Sequence, residues 1–208
     1  VGSEMCIRDR PMLIGTFVMV SCYTLFYLVT TWILSFGIGD SSKGLGLGIP
    51  YIDFLEIQLI SIFMFMIGIP IASILSDKFG RKPVLIVTSV LMIAFGLSFP
   101  LFLTIGSADR GSVLAFLIVG MFIMGLIFGP MSAVLPELFP TAVRYTGSGI
   151  SYNVSSILGA AVAPFIATWL VKHAGVEYVG YYLVIVSIIS LGAILVMKEH
   201  SQQDLTQV

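Results

Sequence analysis

Charged residues are scarce in this chain of 208 residues, where Lys, Arg, Asp and Glu together make up only 10%. An ordinary soluble domain contains about 25% charged residues. The ten basic and eleven acidic residues nearly cancel, which leaves a net charge of −1. Such a chain has no basic field for a phosphate backbone, so nucleic acid is not expected as a partner.

Cysteine and histidine are equally scarce, with two of each. Cys6 and Cys22 have no metal-ligand spacing and form no disulfide framework. The sequence also lacks a His-Glu-x-x-His cluster and a phosphate loop ending in Gly-Lys-Ser/Thr, and Ser148 has no histidine on a neighbouring apolar segment. We therefore expect no metal site, no bound cofactor and no enzymatic activity.

Hydrophobic residues are abundant, at 58% of the chain, and the mean hydropathy is +1.06. A soluble domain of this length leaves about a third of its surface exposed. The apolar residues would not all fit inside its core. The composition therefore predicts that most of the surface faces lipid.

The first ten residues differ from the rest, because residues 1–10 are polar and include neither an initiator Met at position 1 nor a signal-peptide pattern. They resemble a translated adapter sequence at the end of a gene fragment. We expect residues 1–10 to be a non-native leader, and residues 11–200 to form the membrane domain of a truncated gene product.

Six continuous apolar runs follow, each close to the roughly 20 residues that a helix needs to cross a bilayer. They cover residues 12–36, 54–76, 83–105, 113–135, 148–171 and 178–197. The runs do not alternate as transmembrane strands would. The sequence therefore predicts an all-α membrane protein of six helices joined by short connections.

Basic residues divide unequally between the two sides of this bundle. One side carries Lys78, Arg81, Lys82, Arg144 and Lys198, and the other carries Lys43, Arg110 and Lys172. Cytoplasmic loops are enriched in Lys and Arg. We therefore place the first side, and with it the polar tail 201–208, in the cytoplasm.

A stripe of small residues runs along the fifth apolar segment at four-residue spacing. It consists of Gly147, Ser151, Ser155, Gly159, Ala163 and Ala167. Small side chains let helices approach closely in lipid. We expect this face to contact another helix or to line a passage, with packing the preferred alternative.

Two cytoplasmic connections contain acids and bases in equivalent positions. The first contains Asp77, Gly80, Arg81 and Lys82, and the second contains Glu137 and Arg144. We predict that Asp77, Arg81, Glu137 and Arg144 form an ion-pair network, a clasp that breaks when the bundle opens, although each can also be an ordinary loop charge. On the opposite side, Asp53 and Glu56 share a face at the start of the second segment. A cation or proton site is one alternative there, and the preferred one is that the helix dipole and lipid headgroups account for both.

The Asp-x-x-Gly-Arg-Lys loop at 77–82 and the Pro-Glu-Leu-Phe-Pro-Thr-x-Val-Arg-Tyr-Thr-Gly segment at 136–147 resemble the matching loops of the major facilitator superfamily, in its carboxy-terminal half. The likeness extends over about residues 11–200 and is greatest to metabolite:proton symporters, relatives of the shikimate, α-ketoglutarate, citrate and proline/betaine permeases. Ala142 departs from the Arg usual in the second motif, and Glu56 replaces an expected apolar residue.

The resemblance implies a transporter of twelve helices, of which this chain supplies helices seven to twelve. Its partners would be the lipid bilayer, a small-molecule substrate and the missing amino-terminal six-helix half of the same polypeptide. In such folds the substrate binds near the midplane between the halves, and alternating access exposes it to each side in turn.

From this half, polar or aromatic residues of the first and fifth segments are the expected substrate contacts: Tyr23, Tyr27, Thr30, Tyr152 and Asn153. Tyr23 and Tyr27 lie one helical turn apart and share a face. Interface anchoring accounts for tyrosines near helix ends equally well, and an interhelical hydrogen bond accounts equally well for Asn153.

The function expected from these observations is secondary active transport of a small organic acid or zwitterionic osmolyte across a bacterial inner membrane, with a proton as the coupling ion. Two alternatives stay open. A sugar porter has similar loops but would be expected to carry a Gln-Gln pair on the first segment, which is absent here. A non-transporting membrane scaffold or sensor would not need the clasp.

Overall fold

The computed structural model describes residues 2–41, 46–103, 109–139 and 143–197, with side chains from residue 12 onward. The predicted tail, residues 201–208, lies outside the described residues. Within the described part, helices and short connections account for all of the backbone and no strand occurs. The predicted all-α architecture is confirmed.

Nine α-helices and two π-helical segments make up the described residues. In chain order they are α1 (Gly2–Tyr27), the first π segment (Leu28–Trp32), α2 (Ile33–Ile38), α3 (Tyr51–Phe79), α4 (Arg81–Leu97), α5 (Phe99–Leu103), α6 (Arg110–Glu137), α7 (Arg144–Ile157), the second π segment (Leu158–Val162), α8 (Ala163–His173) and α9 (Glu177–Val196). Each π segment joins its two flanking helices into one continuous rod.

Five rods among the described residues are long and apolar enough to cross a membrane: Met12–Ile38, Tyr51–Phe79, Arg110–Glu137, Arg144–His173 and Glu177–Val196. The third predicted run is divided, because α4 ends at Leu97 after 17 residues and α5 follows from Phe99. Pro100 accounts for the break, since it has no N–H to donate to the carbonyl of Gly96. Residues 104–105 of that run lie outside the described residues.

The first rod is central and α3 is peripheral. In the most apolar stretch of each rod, 61% of the residues are buried in the first but only 22% in α3. The first rod contacts α6, α7, the second π segment and α9, whereas α3 packs mainly on α6 and α4 mainly on α9. The exposed side chains of α3 are mostly large and apolar, as lipid or a further apolar surface requires.

Close approach between rods depends on glycine and on hydroxyl groups. Gly68 of α3 faces Gly125 of α6 backbone to backbone, and a Cβ on Gly125 would lie 2.6 Å from the carbonyl oxygen of Phe65. The Ser155 hydroxyl donates to the carbonyl of Thr16 at 2.9 Å, and the Ser190 hydroxyl donates to the carbonyl of Val18 at 3.0 Å. We call these serine contacts with α1 the serine seam. Such contacts hold helices together in lipid, where apolarity alone does not.

The connection between α3 and α4 is a single residue, Gly80, whose φ of 91° lies in the region that favours glycine. The tight reversal sets α3 and α4 side by side and brings Asp77, Lys78, Arg81 and Lys82 to one end of the bundle. The ends of α6 and α9 and the start of α7 lie at the same end.

At the opposite end, Asp109 caps α6. The Ser112 backbone N–H donates to Asp109 Oδ1 at 2.9 Å, and the Asp109 N–H donates to Ser112 Oγ at 3.0 Å. This reciprocal pair satisfies two N–H groups at the helix start. The hydrogen bond from the Ser112 backbone holds the pKa of Asp109 below its ordinary value of 3.8.

We expect Asp109→Ala to lower the thermal unfolding midpoint at neutral pH. Because the folded-state pKa is depressed, the stabilising contribution of the carboxylate is complete above pH 3.8 and is lost as the pH falls through the folded-state pKa. The difference between the two proteins should therefore shrink in acid. Unfolding scans between pH 7 and pH 3 test this, and a difference that is constant over that range would contradict it.

Candidate functional site

A cavity of about 730 Å³ opens between α1, α6 and α7. Its described lining residues are Met19, Phe128, Met131, Ser132, Leu135, Pro136, Tyr145, Thr146, Ser148, Gly149, Ile150, Tyr152, Asn153 and Val154. The volume lies within the range of small-molecule sites. An apolar wall interrupted by a few polar groups is also typical of such sites.

The polar groups in this lining are hydroxyls and one amide. Among the described lining residues, none carries a carboxylate, amine, guanidinium or imidazole group. The described lining side chains can therefore offer hydrogen bonds and aromatic faces to a small molecule, but they supply no formal charge.

Tyr152 and Tyr23 form an aromatic pair at the cavity wall. Their ring centroids lie 5.3 Å apart and the ring planes are nearly perpendicular, at 89°. Tyr152 lines the cavity and is 46% exposed, while Tyr23 lies behind it and is 8% exposed. The Tyr23 hydroxyl is buried. The pair therefore fixes the orientation of the Tyr152 ring.

Asn153 also lines the cavity. Its side-chain nitrogen donates to the carbonyl of Gly149 at 2.8 Å, within the same helix. This bond is therefore intrahelical, and it is not the interhelical hydrogen bond that the sequence analysis considered for Asn153. No described residue donates a hydrogen bond to the side-chain oxygen, which leaves that acceptor for a bound molecule.

Tyr27 and Thr30 do not belong to the described lining. Tyr27 is half-buried and packs edge-on against Phe26, with the ring centroids 5.2 Å apart. Thr30 lies in the first π segment, where its hydroxyl donates to the carbonyl of Phe26 at 2.6 Å. Gln58 of α3 donates to the Thr30 carbonyl at 2.8 Å. The structure thus brings Tyr23, Tyr152 and Asn153 together but places Tyr27 and Thr30 elsewhere.

Several lining residues were not predicted. Ser132 and Met131 come from α6, which the sequence analysis did not consider as a source of contacts, and Tyr145 and Ser148 come from the first turns of α7. Within the apolar run 113–135 of α6, Ser132 is the one residue with a polar side chain. Its side chain donates to the carbonyl of Gly129 at 3.0 Å.

At the end of the bundle that contains Gly80, the structure brings together part of the predicted clasp. Arg81 at the start of α4 forms an ion pair with Glu137 at the end of α6. Arg144 instead donates from Nε to the carbonyl of Phe139 at 3.3 Å. Within the described ranges, Asp77 forms no ion pair with either arginine. The ion pair joins two helices of this chain, and a role for all four residues in gating stays a prediction.

Lys82 closes a second contact at this end. Its ammonium donates to the carbonyls of Leu195 and Met197, both at 2.8 Å. These carbonyls lie at the end of α9, where the helix dipole favours a positive charge. Lys82 therefore fixes α4 to α9.

Neutralising either member of the Arg81–Glu137 pair should lower stability. The two side chains are 25% and 43% exposed, so we expect a coupling energy of only about 0.5–1 kcal/mol in a double-mutant cycle of Arg81→Gln and Glu137→Gln. Asp77→Asn is the matched control in the same connection and should not lower the unfolding midpoint. Additive effects of the two substitutions would contradict the pairing.

The opposite end has an ion-pair cluster that the sequence analysis did not predict. Two carboxylates of α3 lie close to the guanidinium of Arg110 on α6. The distance is 2.6 Å from Nη2 to Glu56 Oε2 and 3.6 Å from Nη1 to Asp53 Oδ2. The two carboxylates therefore have a protein partner in addition to the helix dipole. Because all three side chains are more than one-third exposed, the cluster contributes little stability.

The stripe of small residues lies largely against α1. The Ser151 hydroxyl donates to the carbonyl of Met12 at 3.1 Å, and a Cβ on Gly159 would lie 2.3 Å from that of Tyr23. Ser155 belongs to the serine seam described above, and Ala163 and Ala167 are fully buried. Gly147, at the start of the stripe, faces the Phe139 ring. The stripe therefore sets how closely α7 and α8 approach α1. Because Tyr152 is part of α7, the same contacts set its position at the cavity wall.

Comparison with known proteins covers nearly the whole chain. The inner membrane metabolite transport protein YhjE of Escherichia coli is 43% identical over 205 residues, which are 99% of this chain and 46% of that protein. A putative metabolite transport protein of Haemophilus influenzae is 43% identical over 96% of this chain and 46% of its own length. The glycine betaine/proline/ectoine/pipecolic acid transporter OusA of Dickeya dadantii is 37% identical over 69% of this chain and 29% of its own length.

The chain spans about half the length of YhjE and of the Haemophilus influenzae protein, as the shares of 46% show. The family model described as the Major Facilitator Superfamily matches residues 6–206. The helical bundle, the apolar rods and both motifs agree with that match. The chain is therefore a multi-pass membrane protein that belongs to the major facilitator superfamily, with the fold of one half of such a transporter.

Proposed function

We propose that this chain is the carboxy-terminal half of a secondary transporter that moves a small organic acid or zwitterionic osmolyte across a bacterial inner membrane, with its carboxy terminus in the cytoplasm. The cavity bordered by Tyr152 and Asn153 is the observation that carries the proposal. It is large enough for a small metabolite, and its mostly apolar wall carries a few neutral polar and aromatic groups. A second six-helix half of the same polypeptide closes it from the other side and alternately exposes it.

The printed names of the relatives support this substrate range. OusA is named as a transporter of betaine, proline, ectoine and pipecolic acid, all small and polar, and YhjE is named as a metabolite transport protein. Because the described lining offers no formal charge, we assign the groups that balance the substrate's charges to the missing half.

We further propose that a proton is the coupling ion. The described lining holds no carboxylate or imidazole that titrates near neutral pH, so the proton-binding group is assigned to the missing half as well. This half then contributes shape and hydrogen bonding, and the other half contributes coupling.

Uptake by proteoliposomes containing the intact protein tests the proposal. The substrates are labelled shikimate, α-ketoglutarate, citrate, proline and betaine, each measured with and without an imposed pH gradient. With one proton per substrate, a gradient of one pH unit supports about tenfold accumulation. A protonophore should abolish accumulation, and protein-free liposomes give the background.

Three outcomes separate the alternatives. Gradient-dependent accumulation of one compound supports symport and identifies the substrate. Uptake at the same rate with and without the pH gradient would contradict proton coupling but not transport. A correctly folded protein that takes up none of the compounds would contradict the proposed substrate class and favour the two alternatives, the sugar porter and the scaffold or sensor.

A further inference from the structure

A second, smaller groove of about 300 Å³ lies between α3 and α4 near Gly80. It is lined chiefly by Leu75, Phe79, Pro83, Val87, Leu91 and Leu126. Thr88 also borders it, but the Thr88 hydroxyl donates to the carbonyl of Leu85 at 3.0 Å. The groove therefore presents an apolar wall with no free polar group among its described residues.

A positively charged side chain, that of Lys78, lies beside this groove. The ammonium of Lys78 lies 5.3 Å from the ring centroid of Phe79, which itself lines the groove. Lys78 is exposed and forms no ion pair within the described ranges. Its basic neighbours are engaged elsewhere, Arg81 with Glu137 and Lys82 with the end of α9. Asp77 is adjacent in sequence, but its side chain leaves the helix about 100° away from that of Lys78.

The groove and the cavity lie on different sides of α6. Leu126 lines the groove and Phe128 lines the cavity, and two residues along a helix point about 160° apart. Phe79 and Val87 are also 60% and 59% exposed. The groove is therefore separate from the surface to which the proposed function assigns the missing half.

We propose that this groove binds one acyl chain of an anionic phospholipid, with the lipid phosphate against Lys78. The apolar wall at the end of a membrane-spanning helix matches a hydrocarbon chain, and the ammonium matches a phosphate at the depth where the chain meets its headgroup. A zwitterionic lipid offers the same chain, but its own cation offsets the attraction of its phosphate for Lys78. The site therefore selects anionic lipid.

Native mass spectrometry of the intact protein tests the site, using equimolar phosphatidylglycerol and phosphatidylcholine with identical chains. One basic side chain at an anionic membrane surface is worth about 1 kcal/mol, or about fivefold in affinity. We expect phosphatidylglycerol to be retained about fivefold over phosphatidylcholine. Lys78→Gln should bring this ratio close to one, and Lys172→Gln, at an exposed lysine of α8, should leave it unchanged.

A second pair of variants tests the acyl chain. Val87→Trp fills the groove and should remove most bound phosphatidylglycerol. Val90→Trp changes a residue of the same helix that is 52% exposed and outside the groove, and should have no effect. Equal retention of the two lipids, an unchanged ratio in Lys78→Gln, or full retention in Val87→Trp would each overturn the proposal. A Val87→Trp protein that is destabilised but retains phosphatidylglycerol and phosphatidylcholine in the unchanged ratio would show that protein, not lipid, covers the groove. That outcome would also overturn the proposal.

Discussion

Replacing Gly125 with valine is expected to prevent close packing of α3 on α6 and to cost at least about 3 kcal/mol, the upper end for overpacking a core. A Cβ at this position would lie 2.6 Å from the carbonyl oxygen of Phe65 and 2.9 Å from the Cα of Gly68. Both contacts are with backbone, so no rotamer change relieves them. The helices must separate, and the apolar contacts along α3 would be lost with them.

Gly192→Val is the matched control, because Gly192 also lies inside a helix but has no atom within 4 Å of an added Cβ. Size-exclusion profiles in detergent and thermal unfolding measure both variants. We expect Gly125→Val to aggregate or to unfold at a much lower temperature, and Gly192→Val to resemble the unmodified protein. Equal stability of the two variants would show that α3 and α6 do not cross at these glycines.

Tyr152→Ala is expected to lower the uptake rate at least about tenfold, which corresponds to roughly 1.4 kcal/mol. The substitution removes an aromatic surface from the cavity wall and leaves the Tyr23 ring without its edge-on partner. Tyr152→Phe retains the ring and should lose less, by an amount that measures the contribution of the hydroxyl.

Tyr178→Ala is the control for this experiment. Tyr178 is 48% exposed, close to the 46% of Tyr152, but it lies on α9 outside the cavity. Uptake rates are compared at equal protein content after the unfolding midpoints have been measured. If Tyr178→Ala impairs uptake as strongly as Tyr152→Ala, the effect does not arise from the cavity.

Hydropathy predicted the rods well because lipid tolerates apolar side chains around the whole circumference of a helix. For the same reason it did not predict which way each helix faces. Tyr23, Tyr27 and Thr30 were predicted on the same ground, as polar or aromatic residues of the first segment. Only Tyr23 lies behind the cavity wall. In α3, apolar residues cover buried and exposed faces alike, so the sequence carries no amphipathic signal there.

Local backbone breaks limited the prediction in a second way. The two π segments, Leu28–Trp32 and Leu158–Val162, change the hydrogen-bond register within otherwise regular rods. Pro164 marks the second, because it lacks an N–H just after the segment. The first π segment contains no proline. Its Thr30 carbonyl instead accepts a hydrogen bond from the side-chain amide of the distant Gln58. A bond between residues 28 positions apart has no local sequence pattern.

The serine seam has a consequence for the order of assembly during synthesis. The carbonyls of Thr16 and Val18 on α1 accept hydrogen bonds from Ser155 and Ser190, 139 and 172 residues later in the chain. Within this half, α1 leaves the ribosome first but receives these partners only after α7 and α9 have been inserted. α3 meets its main partner α6 sooner. The helix at the centre of the finished bundle is therefore among the last to be enclosed, and the carbonyls of Thr16 and Val18 lack these serine partners until α7 and α9 are in place.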